Sequence, residues 1–92
     1  MKAVDKFPIG TIVKHFKHTS NKDSEVLNNY LYIVKDFAIY TDNNETLVIY
    51  QALYHPYEIY ARRESEFLSK VDKIKYPNIK QEYRFEKVFD LI

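Results

Sequence analysis

Thr46-Leu47-Val48-Ile49-Tyr50-Gln51-Ala52-Leu53-Tyr54 holds no glycine, proline or charge and is dominated by strand-forming types. β-Branched and aromatic side chains pack well on a pleated surface, so this run is read as a strand. Its period of two places Leu47, Ile49, Gln51 and Leu53 on one face and Thr46, Val48, Tyr50, Ala52 and Tyr54 on the other. His55-Pro56 closes the run, because proline has no N–H to give to a ladder.

The neighbouring stretches extend the pattern. Tyr57 to Arg62 is a second strand, with Ile59 and Ala61 facing one way and Tyr60 and Arg62 the other. Upstream, Thr41-Asp42-Asn43-Asn44-Glu45 is a hairpin turn, since Asn and Asp accept left-handed backbone angles. Tyr30 to Tyr40 is a third strand, and the Lys35-Asp36 interruption in it predicts a bulge. The Pro8-Ile9-Gly10 turn leads into a fourth strand, Thr11 to Lys17, where Val13 and His15 share a face opposite Ile12 and Phe16.

Residues 18–29 are polar and rich in turn formers and are read as a long inserted loop, with Ser24 to Leu27 as a candidate helical turn. Arg63 to Lys70 changes period. Phe67, Leu68 and Val71 fit one side of a short helix, with Ser65 as its expected cap. After a turn at Tyr76-Pro77-Asn78, Tyr83 to Phe89 is the last strand. Short antiparallel strands at this spacing predict a mainly β domain, curled into a small barrel or roll that protects its edges.

One domain is expected over 1–92, since 92 residues suit a single core. Nine tyrosines and six phenylalanines supply enough apolar surface to argue against disorder. The absence of cysteine excludes a disulfide scaffold, a thiol nucleophile and Cys-based zinc sites. No apolar run approaches the roughly 20 residues of a membrane span, and Met1 to Gly10 lacks the apolar core of a signal peptide, so a cytoplasmic protein without a membrane partner is expected. The net charge of +1 does not predict nonspecific binding to nucleic acid. The charge is uneven, however: residues 1–22 carry +4 and residues 23–50 carry −4.

Catalytic patterns are weak. His15, His18 and His55 show no metal-ligand spacing, and a single glycine excludes a glycine-rich phosphate loop. No catalytic residue, metal or cofactor is assigned. The aromatic and basic set of Tyr54, Tyr57, Tyr60, Arg62 and Arg63 is more suggestive, because tyrosines stack planar groups and arginines take phosphates. The competing reading is that these tyrosines fill a small core and keep their hydroxyls at its rim.

Lys14-His15-Phe16-Lys17, the Val48 to Tyr54 run, Ile59-Tyr60-Ala61-Arg62-Arg63 and Phe67 follow one another in an order that resembles the domain of unknown function 1653 family of small bacterial proteins. Tyr83-Arg84-Phe85-Glu86-Lys87 is similar to the ending of longer members, so the resemblance spans about residues 9–88. It differs in two places. His18 opens a long loop where the family has glycine and a short turn, and Arg63 stands where the family has proline. The resemblance implies an SH3-like β-barrel roll and no activity.

His15, Gln51, Tyr54, Tyr60 and Arg62 are the polar or amphipathic positions that match the family pattern, and they are the candidate ligand-binding residues. The leading expectation is a monomeric, noncatalytic binding module for an anionic planar ligand, a nucleotide or a single-stranded nucleic acid. A protein-interaction module is the alternative. A small enzyme with His15 as general base is the third reading.

Overall fold

The structure, a computed structural model, describes residues 2–20 and 28–88. Five antiparallel strands form one sheet: β1 (Ile12–His15), β2 (Leu31–Ile39), β3 (Thr46–Ala52), β4 (Ile59–Arg63) and β5 (Phe85–Lys87), in the order β4-β3-β2-β1-β5. Among the described residues, three single-turn helices accompany them: α1 (Ala3–Lys6), α2 (Lys17–Ser20) and α3 (Glu64–Phe67). The first four strands are a meander, and the last returns to pair with the first. The mainly β expectation holds, and the curled sheet is consistent with a small barrel or roll.

The predicted local chemistry explains the hairpins. Asn44 adopts φ 58° in the β2–β3 turn, where Glu45 N donates to the Asn43 side chain at 3.0 Å. The register shifts between Val34 and Asp36, so the bulge falls at the Lys35-Asp36 interruption. Gly10, at φ +93°, makes the tight entry to β1 and donates to Val34 O at 2.8 Å.

In β3 the Val48, Tyr50 and Ala52 face is buried, and Leu47, Ile49 and Gln51 point away from the core. The strand ends at Ala52, two residues before the expected Tyr54, where the chain bends. In β1, Val13 and His15 are the buried pair, as their shared face predicts. The central core is largely aromatic. Phe67 stacks on Phe85 at 4.1 Å, and both rings meet the edge of Tyr50, at 5.3 and 5.5 Å. Aromatic pairs in these geometries add to area burial.

Two expectations change, and one element lies beyond them. The loop expected over residues 18–29 begins later, because His18 to Ser20 belong to α2; the candidate turn at Ser24 to Leu27 lies outside the described residues. Ser65 does not cap α3. Arg63 occupies the cap position without a side-chain bond, and Ser65 is already inside the helix. The turn α1 was not foreseen. Ala3 N donates to Glu64 at 3.0 Å and Phe7 meets the Phe67 ring at 5.7 Å, so distant contacts hold it in place.

β4 and β5 are the two ends of the sheet and share no ladder. Side chains span the gap: the Arg62 guanidinium lies over the Phe85 ring at 5.9 Å. Below it, Lys70 bridges Tyr83, and Arg84 N donates to Ser69 O at 2.8 Å, linking the segment after α3 to the segment before β5.

Candidate functional site

His15 and Arg62, two of the five nominated residues, line one cleft of about 390 Å³ at the unladdered side of the roll. Lys17, Lys75 and Arg84 add positive charge, Asp72 is the single carboxylate among the described lining residues, and Phe16, Val71 and Tyr76 supply apolar surface.

Arg62, Arg84 and Asp72 are each held by a specific partner. Arg62 Nε donates to the Tyr50 hydroxyl at 3.2 Å, and its terminal nitrogen is 3.7 Å from Glu66. Arg84 Nε donates to Ser69 Oγ at 3.1 Å. Asp72 Oδ1 accepts the backbone N–H groups of Ile74 and Lys75 at 3.0 and 3.2 Å, so its carboxylate stabilises the turn carrying Lys75. The Arg84 backbone is fixed from below by Gln81. This buried amide reaches Tyr83 O at 2.8 Å and both Lys14 O and Arg84 O at 3.3 Å, while its own oxygen is buried and unpartnered.

His15 is 8% exposed and packs beside Phe16, Tyr30 and Phe85. Its Nδ1 accepts Lys17 N–H at 3.1 Å, which puts the proton of the neutral ring on Nε2. Burial first, and then the charges of Arg84, Arg62 and Lys17, hold its pKa down to about 3. His15 is therefore neutral at pH 7 and a weaker base than an ordinary imidazole.

Tyr54 and Tyr60 are not in the cleft lining; they gather around Tyr32. The Tyr32 and Tyr54 hydroxyls are 2.8 Å apart, and Tyr60 donates to Glu58 at 3.2 Å. Burial and the Tyr54 bond push the Tyr32 hydroxyl far above the ordinary tyrosine range, and desolvation and Glu58 push Tyr60 up to about 12. Tyr50 connects this cluster to the cleft, with its ring 5.6 Å from Tyr60 and its hydroxyl on Arg62. Gln51 is not brought to the set. It lies on the outer face opposite Ile33 and Ile59 and donates to Tyr57 O at 3.0 Å.

Arg84, Lys75 and Tyr76 were missed as site residues. Arg84 had a signal, since it sits in the family-like Tyr83-Arg84-Phe85 ending. Lys75-Tyr76 had none, because a lysine before a turn is usually a solvated charge. A wider basin of about 480 Å³ on the outer face is lined by Arg62, Arg63 and Glu66. Its charges are already paired, Arg62 with Glu66 and Arg63 with Glu45 at 3.3 Å, so it is the weaker candidate for a charged ligand.

Among the described residues, no three His, Asp or Glu gather as a metal would need, and no helix is long and apolar enough to cross a membrane. No curated protein and no solved structure gives a significant match to the chain. Residues 11–87 match the family described as protein of unknown function (DUF1653), and the chain belongs to that family.

Proposed function

We propose that this protein is a noncatalytic binding module whose basic cleft takes an anionic ligand with a planar group, a nucleotide or a single-stranded nucleic acid. The observation that carries the reading is the convergence of Lys17, Arg62, Lys75 and Arg84, from four separate stretches of chain, against one carboxylate. Arginines held through Nε suit charge-assisted bonding to phosphate. The Tyr76 ring, packed on Phe16 at 4.9 Å, offers an aromatic wall for a base. An SH3-like barrel of bacterial origin fits this reading: β5 pairs back on β1, and a single helical turn follows β4.

An amide NMR titration with adenosine monophosphate and with short single strands tests the reading. Saturable shifts are expected around His15, Lys75 and Arg84. Arg62→Ala is expected to weaken binding about tenfold and to cost about 1 kcal/mol of stability, because the Tyr50 hydroxyl loses its partner. No saturable shift at moderate salt, or unchanged affinity in Arg62→Ala, would refute it.

The second reading, a protein-interaction module, is favoured by exposed apolar residues. Ile59 on edge strand β4 is 63% exposed and Tyr57 is 55% exposed. If it holds, light scattering shows an oligomer that Tyr57→Ala disperses. A monomer mass at high concentration removes self-association.

A further inference from the structure

We infer that the cleft is selective for a terminal phosphomonoester, as at the end of a mononucleotide or of a phosphorylated strand, over the internal phosphodiester of a polymer. This rests on the anion-binding reading above and narrows it.

Charge is the first argument. Lys17, Arg62, Lys75 and Arg84 stand against Asp72 and against Glu66, which is 3.7 Å from Arg62, so the surroundings of the neutral His15 are net positive. A phosphomonoester carries about −1.5 to −2 at pH 7, with a second pKa near 6. A phosphodiester carries only one negative charge and has fewer terminal oxygens to accept hydrogen bonds. A compact cluster of cations therefore gains most from the more highly charged group.

The second argument is the placement of acids in and beside the cleft. Proteins that hold a strand along its length use a positive groove that follows the backbone. Here the neighbouring cations meet acids: Glu66 is 3.7 Å from Arg62, Glu82 is 3.5 Å from Lys70, and Asp72 stands in the cleft wall. A strand continuing past the site would run beside carboxylates. A group that ends in the site avoids them. The volume of about 390 Å³ is also near the small end of the roughly 300–1,000 Å³ seen for small-molecule sites.

The third argument is His15. With Nδ1 taken by Lys17 N–H, the neutral ring has a donor left at Nε2 and no acceptor to repel an oxyanion. Lys17, Arg62, Lys75, Arg84 and Asp72 are the charged groups that share the cleft with it.

The test is calorimetry and amide NMR on the full chain with five probes: adenosine 5′-monophosphate, its 3′,5′-cyclic diester, inorganic phosphate, and one trinucleotide with and without a 5′-phosphate. The monophosphate is expected to bind about tenfold or more tightly than the cyclic diester, and the 5′-phosphate to improve the trinucleotide by a similar factor. Bound phosphorus is expected to titrate about one unit or more below free monophosphate, as cations nearby favour the dianion. Lys75→Ala, an exposed change that leaves the core intact, is expected to shrink the monophosphate preference. Preference for the monophosphate without the phosphorylated trinucleotide assigns the site to free nucleotides; preference for both extends it to strand ends. Equal affinity for monophosphate and cyclic diester overturns the selectivity while the anion reading stands. No shift of cleft residues with any phosphate probe overturns both.

Discussion

Phe85→Ala is expected to cost about 3–5 kcal/mol of folding stability, the range for removing a fully buried aromatic ring. Phe85 is 1% exposed and stacks on Phe67 at 4.1 Å. It also meets the rings of His15, Tyr50 and Tyr32 at 5.1, 5.5 and 5.9 Å. These neighbours come from β1, β2, β3 and α3, so no single element can move in to fill the space. Since domain stabilities are about 5–15 kcal/mol, the variant is expected to be partly unfolded at 37 °C. Urea denaturation monitored by circular dichroism measures the change. A loss below about 1.5 kcal/mol would mean that the surrounding rings repack, contrary to their described geometry.

The second large effect is on the pH dependence of stability. The folded pKa of His15, about 3, lies below its ordinary 6.5. Between those values the unfolded chain binds more protons than the folded one. Folding stability is therefore lost as pH falls from 6.5 towards 3, by up to about 1.4 kcal/mol per pH unit from this residue. Acidifying from neutrality to pH 4 is expected to remove about 3 kcal/mol through His15. His15→Asn keeps an acceptor near the Nδ1 position, facing Lys17 N–H, but cannot take up the proton. It is expected to be less stable at pH 7, because the ring contacts with Phe16 and Phe85 are lost, yet to have a shallower stability profile between pH 6.5 and 4. Urea titrations of both proteins at unit pH steps give the comparison. Parallel profiles would show that His15 contributes nothing to the acid sensitivity.

The strands were legible because turn chemistry and period-two burial agree along most of the sheet. Asn44, Gly10 and Lys35-Asp36 each marked a backbone irregularity that the structure contains. The family resemblance is borne out over residues 11–87. What could not be read depends on which parts of the chain meet. Both faces of the Thr46 to Tyr54 run are apolar, so the pattern alone could not say that Tyr50 points inward and Gln51 outward. The helix α1 is only one turn long, and its support comes from Glu64 and Phe67, about 60 residues away in sequence. The charge blocks were likewise a poor guide to the site. Lys17 comes from the basic first segment, but Arg62, Lys75 and Arg84 come from beyond both blocks. The tyrosines divide in a way composition cannot reveal: Tyr32 and Tyr50 are core, whereas Tyr40 and Tyr57 are exposed.

The missing ladder between β4 and β5 gives the cleft an adjustable aperture. Hydrogen-bonded strands sit at a repeat of about 4.8 Å, which no side chain can alter. Here no ladder fixes the spacing, and what lies beneath Arg62 is the Phe85 ring stacked on Phe67. A larger or smaller ring at position 67 is thus expected to shift Phe85, and with it the Arg62 guanidinium that lies over that ring.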